Sequence, residues 1–352
     1  MKNIKKNKHN TFNIFTYKEI KNIFSTNFRL INCEFKNNIL VIIFNFFLLK
    51  IIVITINLLF IILIYSLIFD KILVNHNSIK LCLCTLGKNE NKYAIEFIEH
   101  YKKYGVDKIF IYDNNDINGE KFEDVINDYI KDGFVEIINF RGKNKIQLNI
   151  LNHCYYKNYK KYNWLILFDM DEFIFLKNYK NIKYFLNNKK FYDCQVIYLN
   201  EVIHLDNNQL YYKNKKLSER FKEIELNSPK IMVKSILRGD IENINITNNH
   251  VIDLNLNLKT CNGYGKKMIL KGIHTLNPDN KNYYFHHYYF KSAEEYLDKL
   301  RRGSCFWGNL RAVNLLWISH YFGHNKITLD KINYFENQTG INLEDFRKKI
   351  KE

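Results

Sequence analysis

The stretch WLILFDMDEF, from Trp164 to Phe173, decides the fold of this chain. Its apolar run Trp164–Phe168 is too short for a helix and predicts a strand buried on both faces. It passes without a spacer into Asp169-Met170-Asp171-Glu172, so the strand ends at a sheet rim that carries carboxylates. In an extended segment residues i and i+2 face the same side, which predicts that Asp169 and Asp171 project together. Two such carboxylates repel unless a cation joins them, and hard oxygen ligands suit Mn2+ or Mg2+. An ion held in this way bridges a substrate diphosphate and neutralises the charge that builds on a phosphate leaving group.

The residues upstream repeat one pattern. Lys80–Leu86 (KLCLCTL) predicts a strand closed by Gly87. Tyr93 to Tyr104 predicts a helix with Ala94, Ile95, Phe97, Ile98 and Tyr101 on one face, ending at Gly105. Strands are expected at Lys108–Tyr112 and Phe134–Phe140, and helices at Phe122–Ile130 and Gln147–Tyr159. This alternation predicts an α/β fold with crossover helices on a parallel sheet. Such sheets bind ligands beyond the carboxyl ends of their strands. The polar clusters Gly87–Glu90, Asp113–Asp116 and Asp169–Glu172 fall at those ends. No G-x-G-x-x-G and no G-x-x-x-x-G-K-[ST] occurs, so neither a dinucleotide fingerprint nor a P-loop is indicated.

From Ile39 to Phe69 the chain is almost continuously apolar, and Ile51–Phe69 carries no formal charge. A bilayer core about 30 Å thick needs roughly 20 helical residues, so a transmembrane anchor is expected. A buried core helix would show one polar face, and this one shows none. Residues 1–38 hold eight Lys and Arg against two Glu, whereas only Asp70, Lys71 and Lys80 follow closely, which places the N-terminus in the cytoplasm. In a eukaryote that is a Golgi-type membrane; in a bacterium it is the inner membrane. Asn245-Ile246-Thr247 and Asn337-Gln338-Thr339 are sequons compatible with a lumenal domain. The expected organisation is a basic tail (1–38), an anchor (39–69), a stem (70–79), a catalytic domain (80–305) and a C-terminal helical segment packed on it (306–352).

The 352 residues carry a formal charge of +17, and 47% of them are hydrophobic, which excludes a wholly disordered chain. Lys, Asn, Ile, Tyr and Phe are abundant throughout, so the basic balance does not indicate a nucleic-acid partner. Seven scattered cysteines with no C-x-x-C indicate neither a zinc ribbon nor a dense disulfide framework. Cys82 and Cys84 alternate in an apolar run and read as small buried hydrophobes, and the count leaves room for one or two disulfides.

The string from Gly87 to Asn115, then Gln147 with Asn152-His153-Cys154, then WLILFDMDEF, resembles glycosyltransferase family 92 and its family 2-like relatives. Glu219-Arg220-Phe221, KSILR (Lys234–Arg238), His250 and HYYFKSAEEYLDKLRRG (His287–Gly303) are similar in order and spacing to that family's later motifs. The resemblance implies a GT-A fold and transfer of a sugar, with inversion, from a nucleotide-sugar donor to a glycan hydroxyl. It implies that Asp169, Asp171 and His287 hold the metal. Lys88, Asn89, Glu90, Asp113 and Asn114 would lie near the donor nucleotide, and Arg238 and Lys291 would neutralise its diphosphate.

Each position also has a quieter reading. Glu90 sits where an acidic residue favours a helix N-terminus, Asp113–Asp116 suits an ordinary turn, and His287 lies among tyrosines and phenylalanines as a packed core residue would. An inverting transfer needs a general base beside the acceptor hydroxyl. Glu172, Glu201 and Asp206 are the carboxylates available for it. Tyr198–Tyr212 departs from the family's pattern, which leaves the acceptor open. The alternatives are another D-x-D nucleotidyl- or phosphosugar transferase, or a catalytically silent glycan-binding or scaffold protein.

Overall fold

In a computed structural model of the chain, the described residues are 48–66, 79–225, 231–252, 258–276, 278–279, 281–303 and 312–351. The expected tail, both ends of the expected anchor, most of the stem, Cys33 and Cys305 lie outside them. The chain divides into two units, 1–72 and 73–352. In the first, Leu48–Ser66 forms one helix of 19 residues with mean hydropathy 2.7, long and apolar enough to cross a membrane. Its polar side chains are answered within the helix: Thr55 Oγ1 donates to the Ile51 carbonyl at 3.0 Å and Asn57 Nδ2 to that of Val53 at 2.9 Å. Apolar surroundings demand that internal satisfaction.

The second unit opens with the predicted alternation: β1 (Leu81–Gly87), α1 (Asn91–Lys103), β2 (Lys108–Asp113), α2 (Glu123–Lys131), β3 (Val135–Asn139), α3 (Gln147–Asn158) and β4 (Trp164–Leu167). These strands pair in parallel in the order β3-β2-β1-β4. The period of two sorts their residues. Leu81, Leu83, Trp164 and Ile166 join the core on one face of the sheet, while Cys82, Cys84, Leu165 and Leu167 join that on the other. On α1 the buried set is Tyr93, Ala94, Phe97, Ile98 and Tyr101. The expected Ile95 is 49% exposed, one position off the buried stripe, and Tyr93 takes its place. Gly87 at the end of β1 is a glycine because a Cβ there would meet the Phe122 ring at 2.4 Å.

Beyond β4 the sheet becomes mixed. β5 (Glu172–Leu176), β6 (Val196–Ile203), β7 (Ile231–Arg238) and β11 (Tyr283–His287) extend it as β4-β7-β6-β11-β5, with short β8 (Thr260–Asn262), β9 (Leu270–Lys271) and β10 (His274–Thr275) at its margin. β7 runs antiparallel to both β4 and β6, whereas β11 is parallel to β6 and antiparallel to β5. This is the α/β mixed sheet with crossover helices that the resemblance implied. The C-terminal helices α4 (Ala293–Arg301), α5 (Leu315–His324), α6 (Leu329–Thr339) and α7 (Glu344–Lys351) share a third core built on Phe290, Tyr296, Leu300, Tyr321 and Phe335.

Among the described residues two disulfides form, and one of them corrects the reading of Cys84 as a small buried hydrophobe. Cys84 of β1 is bonded to Cys154 of α3, and Cys194 to Cys261 of β8. Cys82, two residues before Cys84 on the same face, stays a buried thiol. Only Cys84 lies where the helix crosses the sheet, and that crossing is a tertiary fact which no local spacing reveals.

Candidate active site

Strand directions decide what reaches the rim. The carboxyl ends of β1, β2, β4, β6 and β11 and the amino ends of β5 and β7 lie along one edge of the sheet. That edge therefore carries Asp169, Asp171, Glu172, Glu201, Lys234 and His287.

The acidic motif is a turn rather than an extended segment. The Glu172 N–H donates to the Asp169 carbonyl at 3.0 Å, and the Asp169 N–H donates to Glu172 Oε2 at 2.8 Å. The two carboxylates are therefore not related as alternate residues of a strand, and each has its own cations. Lys234 Nζ lies 2.5 Å from Asp169 Oδ2, and Gln147 Nε2 donates to Asp169 Oδ1 at 3.3 Å. Lys299 Nζ lies 2.9 Å and Lys291 Nζ 3.4 Å from Asp171 Oδ2. Burial opposes ionisation of Asp171, yet Lys299, Lys291 and His287 outweigh it and hold the carboxyl well below the usual range. Asp169 is lowered as well, because Lys234 outweighs its burial.

Glu172 has the opposite fate. It begins β5 opposite His287, and burial, helped by Asp169 and Asp171, outweighs Lys234 and pushes its carboxyl up to about 7. The His287 Nδ1–H donates to Glu201 Oε2 at 2.9 Å, and its Nε2 lies 3.7 Å from Asp171 Oδ1. Glu201 Oε1 accepts the Met232 N–H at 2.9 Å, so both of its oxygens are engaged. Burial disfavours the imidazolium, but Glu201, Asp171 and Glu172 outweigh it and raise the His287 pKa.

The residues expected near a donor divide. Glu90 and Lys88 line the cavity, with Glu90 held by Arg302 at 2.5 Å and Lys88 Nζ 2.8 Å from Asp116. Asn89, Asp113 and Asn114 knit the loops beneath them instead. The Asn89 N–H donates to Asn115 Oδ1, Asp113 pairs with Arg141 at 2.6 Å, and Asn114 Nδ2 donates to the Phe140 and Lys143 carbonyls. Lys291 has a left-handed backbone (φ 56) that carries its ammonium to Asp171.

Two of the expected positions are not at the rim. Arg238 pairs with Trp164 at the far end of the sheet, because β7 is antiparallel, and its guanidinium donates to the Phe191, Tyr192 and Cys194 carbonyls. Asp206 is committed to Tyr321 Oη at 2.5 Å and to Lys331, below the C-terminal helices.

Lys234, Lys299 and Arg302 were given no role from the sequence, although two of them left a signal. Lys234 interrupts the apolar strand IMVKSIL, and Lys299 follows Tyr296 by three on the buried face of its helix. A charge placed where burial is expected needs a partner.

The rim opens into a cavity of about 950 Å³. Among the described residues no group of three or more His, Cys, Asp or Glu side chains is gathered to hold a metal ion. The donor set nevertheless fits a divalent cation shared with a ligand. Asp171 Oδ1 and His287 Nε2 face each other, and Glu201 fixes the imidazole from behind as a carboxylate does for a ligating histidine. Mg2+ and similar ions are bound by one or two carboxylates, with substrate phosphates completing the shell.

Residues 77–320 match the model of glycosyltransferase family 92. A family 92 protein of Ricinus communis is 28% identical over 106 residues, covering 30% of this chain and 18% of its own length. One of Arabidopsis thaliana is 27% identical over 111 residues, covering 29% and 17%. The chain therefore aligns with less than a fifth of the length of these relatives. Among solved structures, a mannosyltransferase from Pyrobaculum calidifontis in complex with GDP-mannose and Mn2+ covers 34% of each chain at TM-score 0.26 and 8% identity. TarS of S. aureus covers 60% of this chain and 37% of its own at TM-score 0.31 and 10% identity.

Proposed function

The chain belongs to glycosyltransferase family 92, and from that premise we propose that its cavity transfers a sugar from a nucleotide-sugar donor to a hydroxyl of a glycan. The observation that carries this reading is the meeting of Asp171 and His287 with Lys299 and Arg302 in one cavity at the carboxyl rim, with the buried Lys291 behind Asp171. Asp171 and His287, with Asp169 beside them, would hold Mn2+ or Mg2+, which when bound neutralises charge on the diphosphate leaving group. Lys299 and Lys291 now neutralise Asp171. As the diphosphate enters, Lys299, which lines the cavity, would act as a fixed cation for the developing charge, while Lys291 stays buried on Asp171. Lys88 and Glu90 lie on the donor side of the cavity.

Both oxygens of Glu172 and of Glu201 are committed to neighbours, and Asp206 is remote. We assign Glu201 to positioning His287 and Glu172 to closing the acidic turn, rather than to proton abstraction. The same saturation of Asp169 and Asp171 by lysines favours the second reading, a silent glycan-binding protein.

We place the catalytic unit on the non-cytoplasmic side of the membrane. The basic residues before the apolar helix support this, and so do two disulfides, which persist in oxidising compartments. Protease protection in sealed vesicles tests the orientation. Donor hydrolysis by the detergent-solubilised chain, with UDP- and GDP-sugars and Mn2+, tests the activity, and hydrolysis of none of them would favour the silent reading.

A further inference from the structure

The cavity has two chemically different walls. One is the charged rim described above. The other is built by Tyr289 and Phe290, which follow β11, and by Trp317, His320 and His324 of α5. The last three are spaced i, i+3 and i+7, so they share one face of that helix. Their rings are continuous: Trp317 and His320 are 5.8 Å apart, His320 and His324 4.9 Å, and Tyr289 and His320 5.8 Å. The same row reaches the charged rim, since the Tyr289 ring lies 5.3 Å from that of His287 and 4.0 Å from Lys299 Nζ.

A polar group stands behind the rings. Glu225 Oε1 lies 3.0 Å from His324 Nδ1, and Glu225 Oε2 is buried with no hydrogen-bond partner among the described residues. A carboxylate accepting from Nδ1 fixes the tautomer in which Nε2 is the acceptor.

We infer that this wall is the acceptor subsite, and that it takes a neutral pyranoside. A pyranose has a flat C–H face and a hydroxyl edge, and aromatic rings beside hydrogen-bonding imidazoles complement both. Trp317 and Tyr289 receive the C–H face, and His324, oriented by Glu225, accepts a hydrogen bond from a hydroxyl. The ring row then leads the sugar toward His287, where the donor's diphosphate is placed. This inference rests on the glycosyltransferase reading for the meaning of "acceptor", but binding at the wall stands or falls by itself.

The probe is a panel of methyl glycosides of galactose, glucose, mannose and N-acetylglucosamine. Binding to the full chain in detergent is followed by ligand-observed NMR, and circular dichroism of each variant checks its fold. At least one glycoside binds the wild type, Trp317→Ala weakens it about tenfold, Trp317→Phe restores most of the loss, and Glu225→Gln weakens it less than Trp317→Ala. Binding of no glycoside by the wild type, or equal binding by wild type and Trp317→Ala, overturns the inference. Donor hydrolysis by the wild type reads the family activity separately: Trp317-dependent glycoside binding without donor hydrolysis keeps the subsite and removes the enzyme.

Discussion

Reduction of the two disulfides perturbs the second unit at places where the size of the effect follows from the chain path. Cys84–Cys154 closes a loop of 70 residues and Cys194–Cys261 one of 67. In the chain-entropy model each closure removes about 4 kcal/mol of freedom from the unfolded state. The loops do not overlap, since the first ends at residue 154 and the second begins at 194, so their effects add to a first approximation. For a unit of this size 1 kcal/mol shifts the melting midpoint by roughly 2–4 °C, so loss of either bond lowers it by about 10 °C. The assay is a thermal melt of the full chain in detergent with and without reductant, beside Cys84→Ser/Cys154→Ser and Cys194→Ser/Cys261→Ser double variants. Alkylation and mass spectrometry establish which thiols are free. A midpoint that stays put after complete reduction would refute the reasoning, and so would Cys84 and Cys154 alkylated in the untreated protein.

Three further outcomes follow from buried contacts. Glu295 accepts from Arg220, Ser292 and Tyr93; burial pushes its carboxyl up, but these bonds, Arg220 first, hold it at about 2. A depressed carboxylate contributes stability above its unfolded pKa and loses it as pH falls. Stability on the order of 3 kcal/mol is therefore lost between about pH 4.5 and pH 2, and Glu295→Gln flattens that window in denaturant titrations at stepped pH. Glu201→Gln leaves His287 without its carboxylate and weakens Mn2+ binding, read by paramagnetic relaxation, by about 10–100-fold; unchanged affinity would show that Glu201 does not position a ligand. Arg238→Ala costs about 1–3 kcal/mol of stability through the three carbonyls it leaves unpaired, while donor KM stays at the wild-type value; a raised donor KM would return Arg238 to the diphosphate.

The parallel half of the fold was legible because its periodicities are local. Lys80–Leu86 was expected and Leu81–Gly87 is found; Gln147–Tyr159 was expected and Gln147–Asn158 is found. Apolar runs closed by polar clusters report a buried parallel sheet directly. Asp171 and His287 share the rim because β4 and β11 run the same way across intervening β7 and β6, which no spacing encodes. The misplaced Arg238 shows the converse. KSILR holds a cation at each end, and only the antiparallel direction of β7 selects Lys234 for the rim and sends Arg238 to the opposite end. The cation partners of Asp171 were hidden for a related reason, since Lys291 and Lys299 arrive from more than a hundred residues away in sequence. The aromatic wall of the cavity left no local signal, because Trp317, His320 and His324 meet Tyr289 only through tertiary packing.

Asp171 is the residue on which the proposed site most directly depends. The measurement is turnover of UDP- and GDP-sugars by the full chain in detergent, with Mn2+ or with chelator, for wild type and Asp171→Asn side by side. Wild type is expected to hydrolyse at least one donor only when Mn2+ is present, and Asp171→Asn to lose that turnover at a lowered thermal midpoint, because the buried Lys291 and Lys299 lose the carboxylate that neutralises them; both proteins are assayed below the variant's midpoint, with circular dichroism checking its fold. Asp171→Asn turning over donor at the wild-type rate would contradict the assignment of the site.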